Sequence, residues 1–256
     1  MAEIYAVGNQ KGGSGKTTTA VNLAACCALG GRRVLLVDMD PQANATTHLG
    51  VDRKEVGVTV YDVLVDAGQR VEEAIVGTKL EGLWVVPSDV DLSGAEMELA
   101  DVPGREVRLR EALGEAREFD VVLIDCPPSL GLLTVNALTA AEKMIVPVET
   151  EFFALEGLAV LSRTVELVRE ALNPRLEIVA IVPTKFDRRK NLCRDVVEEM
   201  RELFGKRVTR TIIRTNVRLA EAPTQGEPVE LFSPGSHGAE DYRALAREVL
   251  GCRLRR

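Results

Sequence analysis

Short, wholly apolar runs separated by helical patterns make up most of this chain. Six such runs end at polar or turn residues, at 4–7, 33–38, 83–87, 120–125, 143–148 and 176–182. Because these runs are continuously apolar instead of alternating, each predicts a strand that is buried on both faces, as in a parallel sheet. A further strand is predicted at 208–213.

Between the strands, apolar residues recur with helical spacing. Helices are predicted over 18–29, 105–118, 130–142, 152–172, 192–204 and 239–250, with short helical pieces at 60–64 and 71–75 and an otherwise irregular stretch over 43–82. The helix over 152–172 should end before Asn173-Pro174, because proline disfavours the helical conformation of the residue before it. The alternation of strand and helix predicts an α/β fold, a mostly parallel twisted sheet with helices on both faces.

Length and composition agree with one such domain. The chain has 256 residues, of which 46% are apolar and 28% charged, which suits a single soluble α/β core near the upper size for one domain. Residues 1–256 contain no internal repeat, low-complexity tract or Gly/Ser linker, so one domain is predicted. No apolar run approaches the ~20 residues that cross a bilayer, and the N-terminus enters a strand directly, without a signal peptide.

The cysteines and histidines give no sign of a metal site. The chain has five cysteines and two isolated histidines, namely Cys26, Cys27, Cys126, Cys193, Cys252, His48 and His237. No two cysteines form a C-x-x-C pair, so all five are predicted to be small buried or incidental residues of a reducing cytoplasm. The net charge is −7, so contact with nucleic acid would need a local basic patch.

The strongest chemical signal is the glycine-rich turn between the first strand and the first helix. Residues 8–18 are Gly-Asn-Gln-Lys-Gly-Gly-Ser-Gly-Lys-Thr-Thr. Such a turn leaves backbone N–H groups pointing one way at the positive end of a helix dipole, which makes a cradle for phosphates. Lys16 is placed to reach the β- and γ-phosphates, and the Thr17 hydroxyl to bind Mg²⁺. The residues predicted to bind the nucleotide here are Gly12, Gly13, Ser14, Gly15, Lys16, Thr17 and Thr18.

Carboxylates end two of the buried strands. Asp38 and Asp40 follow the second strand, and Asp125 closes the strand at 120–125. The carboxyl ends of parallel strands face the crevice where ligands bind, and phosphoryl transfer needs a metal and a positioned nucleophile. Asp125 is therefore predicted to hold Mg²⁺, directly or through water. Asp38 and Asp40 are two residues apart and point to opposite sides of an extended chain, so different functions are expected for them.

Four motifs, in order along the chain, resemble the ParA/MinD group of P-loop ATPases, which have a deviant Walker A motif. Gln10 stands where G-x-x-x-x-G-K-[ST] has its first glycine, and a second lysine, Lys11, precedes the turn. The other three motifs are D-M-D-P-Q-A-N at 38–44, D-C-P-P at 125–128 and N-V-R-L-A-E-A-P at 216–223. The first of these is similar to the chromosome and plasmid partition branch of the group.

The resemblance implies a Mg-dependent ATPase with ATP as its nucleotide and Lys11, Lys16 and Asp40 in catalysis. Lys11 would cross to the nucleotide of a second protomer in an ATP-dependent homodimer, and Asp40 would orient the attacking water. Asp38 would lie near the water shell of the metal. A ParB-like centromere-binding partner would stimulate hydrolysis, and the protein would be cytoplasmic and associated with the nucleoid, without a membrane partner.

The nucleotide base also needs a pocket. The segment 183–187 follows a strand end on the far side of the expected site, and in the family the segment 216–223 lies near it. The resemblance therefore places Thr184 and Pro223 beside the base. Adenine is expected there, although the sequence alone does not distinguish it from guanine.

A basic region around the helix at 192–204 is the candidate DNA contact. On a helical wheel, an apolar face is formed by Leu192, Val196, Met200, Leu203 and Phe204, and Lys190, Arg194 and Arg201 gather at its edge. A positive stripe suits sequence-independent contact with phosphates, but it could equally be a solvated face paired with acidic neighbours. Together with the family resemblance, double-stranded DNA is the predicted ligand. The predicted contacts are Arg188, Arg189, Lys190, Arg194, Arg214 and Arg218.

Three other functions stay open. A MinD-like, membrane-associated positioning ATPase is disfavoured by the D-P-Q motif and by the tail at 252–256, which is too short for a membrane-binding helix. An iron–sulphur reductase needs two interface cysteines, and none lies between Cys27 and Cys126. A metabolic ligase or synthetase of the same fold would turn over a small substrate and would not bind DNA.

Overall fold

In the computed structural model, which describes residues 2–114 and 118–254, the six apolar runs and an unpredicted two-residue strand form a seven-stranded sheet. Its strands are β1 Glu3–Val7, β2 Val34–Asp38, β3 Val76–Gly77, β4 Leu83–Val86, β5 Val121–Asp125, β6 Lys143–Glu149 and β7 Glu177–Thr184. Their order across the sheet is β3-β4-β2-β5-β1-β6-β7. Every neighbouring pair is parallel except β3 and β4, so the predicted fold class is confirmed.

Helices cover both faces of the sheet. The α-helices of the described residues are α1 Lys16–Leu29, α2 Asn44–His48, α3 Val60–Val65, α4 Leu92–Glu98, α5 Arg108–Leu113, α6 Leu132–Ala140, α7 Ala154–Ala171, α8 Asn191–Phe204, α9 Val217–Glu221, α10 Val229–Phe232 and α11 His237–Leu250. Alternate residues of β1 face opposite layers, because side chains alternate along a strand. Tyr5 and Val7 pack in the layer that contains α1 and α11, and Ala6 packs in the layer that contains α3 to α8.

The predicted strand at 208–213 is wrong. The N–H groups of Thr209 and Ile213 donate to the Ile181 and Pro183 carbonyls of β7, each at 2.9 Å, but the segment forms isolated bridges at Val208 and Arg214 in place of a continuous ladder. The backbone N–H groups of Arg210 and Thr211 donate to the Glu248 carboxylate of α11 at 2.7 and 2.9 Å. A side chain from a distant helix has thus taken two backbone donors in the middle of the segment, where the ladder to β7 is interrupted.

The helical predictions also need correction. The helix predicted over 105–118 is a 3₁₀ turn at Arg105–Val107 followed by α5, and its residues 115–117 lie outside the described part of the chain. The short helices α2, α4, α9 and α10 were not predicted, since four to seven residues show no clear periodicity. In α8, Cys193 and Val197 are buried, whereas Leu192 and Leu203, predicted on the apolar face, are 44% and 63% exposed.

The prediction that all five cysteines are free is wrong for one pair. Cys27 of α1 and Cys252, just after α11, form a disulfide with their Cα atoms 5.1 Å apart. The two helices pack along each other, and the Tyr242 hydroxyl lies 3.1 Å from that of Thr19. The remaining cysteines, Cys26, Cys126 and Cys193, are free and buried, as predicted. Among the described residues, no helix has both the length and the apolar character needed to span a bilayer.

Loss of the disulfide should lower the free energy of unfolding. The bond joins residues 225 positions apart, and closing so long a loop restricts the unfolded chain, which is worth about 2–5 kcal/mol. We expect Cys252→Ser, and the unchanged protein with reductant, to unfold at a lower denaturant concentration than the oxidised protein. Cys26→Ser, at a buried free thiol, should keep its response to reductant. An oxidised protein whose unfolding midpoint ignores reductant would contradict this.

Candidate functional site

The turn between β1 and α1 has the geometry of a phosphate cradle. Gly13 and Gly15 have φ angles of +74° and +90°, a region that side chains disfavour. α1 begins at Lys16, and within the described residues no side chain caps its N-terminus. Its first N–H groups are therefore available to an anion, at the positive end of the helix dipole.

Lys16 places a positive charge in this cradle. The side chain is buried, and its Nζ donates to the Lys11 carbonyl at 3.0 Å. Burial lowers the pKa of Lys16, while the nearby carboxylates of Asp125 and Asp40 raise it. The ammonium group therefore lies between the backbone of the turn and the acids that end the neighbouring strands.

Asp125 is the one acid of this group without a partner in the described chain. It is fully buried, and neither carboxylate oxygen has a hydrogen-bond donor there. Burial and the charge of Asp38 raise its pKa well above the ordinary value, while Thr17 and Lys16 lower it; the Thr17 hydroxyl is close, although its geometry falls short of a hydrogen bond. An orphaned buried carboxylate is costly. Together with the Thr17 hydroxyl it offers the oxygen ligands that Mg²⁺ prefers, so these residues fit the metal.

Asp38 is equally buried, but both its oxygens are bonded. One accepts from the Asp40 N–H at 3.2 Å, and the other accepts from the N–H and the hydroxyl of Thr46, each at 2.8 Å. Burial raises the pKa of Asp38 to about 6, although the bonds from Thr46 and Asp40 lower it. These contacts direct the carboxylate into the loop 40–46. Its place near the metal stays a prediction, and the structure adds a loop-holding contact that the sequence did not predict.

Asp40 lies in a tight turn after β2. Its side chain is 7% exposed, and Oδ1 accepts from the Gln42 N–H at 2.9 Å. The turn is closed by a hydrogen bond from the Ala43 N–H to the Asp40 carbonyl at 2.8 Å, and Ala43 has a φ of +52°. The carboxylate is therefore held on a constrained backbone, near enough to Lys16 of the cradle to raise its pKa.

Lys11 lies on the surface and pairs within its own chain. Its side chain is 41% exposed and its Nζ contacts Glu149, at 3.8 Å, and Glu151. The backbone N–H of Lys11 donates to the Asn9 side chain at 3.1 Å. Sequence reasoning missed the two glutamates, because they lie far along the chain and carry no recognisable motif. Contact with another protomer would require Lys11 to leave both carboxylates.

The two predicted base contacts lie in different segments. Thr184, at the end of β7, donates its hydroxyl hydrogen to the Ser14 carbonyl at 2.8 Å, so it stabilises the backbone of the cradle. Pro223 lies in the 3₁₀ turn Ala222–Gln225. This turn ends at Gly226, whose added Cβ would come within 2.7 Å of the Gly50 Cα; both glycines have positive φ. The loop after α2 and the segment predicted to hold the base therefore touch backbone to backbone.

The residues predicted to contact DNA differ in whether their charges are paired within the chain. Arg189 pairs with Asp187 at 2.8 Å, and Arg218 with Glu221 at 2.7 Å. Arg194 donates to the Arg188 carbonyl at 2.5 Å. Within the described chain, Arg188 and Lys190 form no ion pair.

Arg214 is the most constrained of these contacts. Its guanidinium donates to Asp241 at 2.6 Å and to Glu240 at 2.8 Å, and these bonds raise its pKa. The side chain is 39% exposed. Arg214 therefore anchors the first turns of α11, and a DNA phosphate would have to compete with two carboxylates for it.

Comparison with known proteins gives close relatives over nearly the whole chain. Residues 2–178 match the family model AAA_31, an AAA domain. The chain is 51% identical over 250 residues to the sporulation initiation inhibitor protein Soj of Bacillus subtilis, covering 97% of this chain and 98% of that protein. It is also 51% identical over 250 residues to the chromosome partitioning protein ParA of Caulobacter vibrioides, covering 96% and 93%.

A solved structure has the same fold. Cobyrinic acid a,c-diamide synthase from Mycobacterium smegmatis, with bound ADP and magnesium, superimposes with a TM-score of 0.86 at 38% identity. The match covers 98% of this chain and 94% of that protein. The cradle and its acids thus lie in a fold that holds ADP and magnesium in a related protein.

Asp125→Asn should stabilise the nucleotide-free protein at pH 8. Folding raises the pKa of Asp125 above its ordinary value of 3.8, so the folded state binds the proton more tightly. Its stabilising contribution is complete below 3.8 and is lost as the pH rises through the raised value. Replacing the buried charge by an amide should add about 1–3 kcal/mol at pH 8 and much less at pH 4.5.

Denaturant unfolding in EDTA at the two pH values measures this difference. Glu198→Gln, at an exposed carboxylate of α8, is the matched control and should change little at either pH. A stability gain that is the same at pH 8 and pH 4.5, or a loss at pH 8, would show that the Asp125 charge is not penalised.

Proposed function

The chain belongs to the AAA_31 family of AAA domains and to the Soj/ParA group of chromosome-partitioning proteins, and from this premise we propose that it is a DNA-segregation ATPase. It binds ATP with Mg²⁺, hydrolyses ATP and works as one domain. The observation that carries the proposal is the orphaned, buried Asp125 carboxylate beside Thr17 and Lys16 at the phosphate cradle. Proteins 51% identical to this chain are named for chromosome partitioning and sporulation control.

The cradle residues divide the chemistry of hydrolysis between them. Backbone N–H groups of 13–16 bind phosphate oxygens, and the Lys16 ammonium neutralises charge on the terminal phosphates. Thr17 and Asp125 hold Mg²⁺, which when bound offsets the negative charge that develops during phosphoryl transfer. Asp40 orients the attacking water from its constrained turn.

Dimerisation completes the site. Two protomers close face to face around two nucleotides, and each Lys11 reaches the nucleotide of the partner. The ion pairs of Lys11 with Glu149 and Glu151 are opened when this happens. Since these pairs are partly exposed, breaking them costs little, and the phosphate charges in the closed dimer offset that cost.

The closed dimer binds double-stranded DNA without sequence preference. Arg188, Lys190 and their basic neighbours lie at the start of α8, where Arg188 and Lys190 form no ion pair within the described chain. One protomer offers few phosphate contacts, so useful affinity needs the doubled surface of the dimer. Hydrolysis, stimulated by a ParB-like partner, opens the dimer and releases DNA, so that a chromosome or plasmid cargo follows the bound protein over the nucleoid.

A second candidate function is metabolic. The structure named for cobyrinic acid a,c-diamide synthase is 38% identical to this chain, and a synthase would use ATP to modify a small substrate. The identity to the partition proteins is higher, at 51%, and this favours segregation. Neither a synthase nor a membrane-associated positioning ATPase of the MinD kind would bind duplex DNA in response to ATP.

Asp40→Ala should separate nucleotide binding from hydrolysis. We expect hydrolysis to fall about 10²–10⁴-fold, because the attacking water loses its orienting base, while ATP still binds. This variant should bind arbitrary duplex with ATP but not with ADP or without nucleotide, and the binding should weaken as salt rises. Adding Lys16→Ala should abolish it. If the protein forms ATP-dependent dimers that never bind DNA, the synthase and the membrane-associated ATPase become the favoured functions. Co-sedimentation with liposomes would then distinguish between these two functions.

Arg188→Ala should weaken DNA binding by the Asp40→Ala dimer several-fold at 100 mM salt. The slope of log affinity against log salt should fall by about 1 per protomer, because one phosphate contact is lost. Arg175→Ala is the matched control, since Arg175 pairs with Glu142 at the amino-terminal ends of β6 and β7, whereas α8 follows the carboxyl end of β7. Equal effects of the two substitutions would exclude the start of α8 as the DNA contact.

A further inference from the structure

A buried polar network holds the loop that carries Asp40. Thr46, in α2, has no exposed surface. Its hydroxyl donates to Asp38 at 2.8 Å and accepts from the Ser88 N–H at 3.0 Å, and its own N–H donates to the same Asp38 oxygen at 2.8 Å. The hydroxyl therefore joins α2 to two neighbouring strand ends, since Asp38 closes β2 and Ser88 follows β4.

The network continues to the backbone of Asp40. The second oxygen of Asp38 accepts from the Asp40 N–H at 3.2 Å. The Asp40 side chain in turn accepts from the Gln42 N–H at 2.9 Å. A continuous series of hydrogen bonds thus leads from Ser88 through Thr46 and Asp38 to the residue proposed to orient water.

The Thr46 hydroxyl is the one group in this series that serves as both donor and acceptor. Valine has nearly the same shape, so it would fill the space but leave the Ser88 N–H unpaired and Asp38 with one bond fewer. Unpaired polar groups in a buried site are costly, so the loop would shift to find other partners. A shift of about 1 Å at a reacting group can cost about 10² in rate.

We propose that Thr46 is a positioning residue for ATP hydrolysis: its hydroxyl, shared between Asp38 and Ser88, fixes the turn that aims the Asp40 carboxylate. Within the described residues, the Thr46 side chain bonds to neither the phosphate cradle nor Lys16. Thr46 therefore sets the rate of turnover and not the affinity for nucleotide. This inference rests on the proposed role of Asp40.

The test compares Thr46→Val, Thr46→Ser and Thr47→Val. Thr47 is the next residue of α2 and is exposed, so its valine variant controls for helix propensity. We expect Thr46→Val to lower kcat about 10–100-fold, with KM and the Kd for a fluorescent ATP analogue within about twofold of the unchanged protein. Thr46→Ser, which keeps the hydroxyl, and Thr47→Val should both hydrolyse ATP at close to the unchanged rate.

Hydrogen exchange at the amides of 40–46 gives a readout independent of activity. These amides should exchange faster in Thr46→Val than in Thr46→Ser, while those of β1 stay protected. Normal kcat in Thr46→Val, a parallel loss of nucleotide affinity, or equal losses in the serine and valine variants would overturn the proposal. If the valine variant does not fold, the smaller Thr46→Ala carries the same expectations.

The two proposals can fail separately. If the unchanged protein binds ATP but does not hydrolyse it, or if Asp40→Ala leaves its rate unaltered, the proposed function fails. The exchange rates of 40–46 still decide whether the hydroxyl holds the loop. If the unchanged protein hydrolyses ATP and Asp40→Ala stops it, while Thr46→Val has no effect, only the positioning role is lost.

Discussion

Three carboxylates and one ammonium group lie buried together where β1, β2 and β5 end. Asp38, Asp40, Asp125 and Lys16 are each at most 7% exposed. The order of the sheet makes this crowding unavoidable, because the three strands are neighbours and their carboxyl ends share one edge. Buried charges need partners. Asp38 and Asp40 accept hydrogen bonds within the loop 40–46, whereas Asp125 has the nearby charge of Lys16 but no hydrogen-bond donor in the described chain. The cradle, the turn at Asp40 and the carboxylates of Asp38 and Asp125 therefore form one electrostatic unit.

The parts of this unit that depend on local sequence could be predicted. Continuous apolar runs identified the strands, and the glycine spacing identified the cradle, because both follow from backbone geometry within a few residues. The parts that depend on distant residues could not. Glu248 took two of the backbone donors of the expected strand at 208–213, and Cys252 reached Cys27 only because α11 packs on α1. Thr46 was missed for the same reason, since its partners come from two strand ends.

The availability of the basic side chains also depends on residues that are distant in the sequence. A basic stripe in a sequence counts side chains, but carboxylates that the fold brings close decide which of them are available. Arg214 is held by Asp241 and Glu240, and Lys11 by Glu149 and Glu151. The first set is a partly buried anchor of α11, whereas the second lies at the surface and can open at modest cost. Equal formal charges therefore have unequal freedom to bind phosphate.

The close contact between Gly50 and Gly226 restricts which substitutions this protein can accept. Both have positive φ, and a side chain on either would collide with the backbone of the other. Neither position can be enlarged unless the two loops separate, and separation would detach α2, with its hydrogen bonds to Asp38 and through it to the Asp40 turn, from the segment near Pro223. Residues around both loops can be substituted, but Gly50 and Gly226 must both stay glycine for the two backbones to keep their contact. The close approach thereby fixes the position of α2 relative to the 3₁₀ turn that contains Pro223.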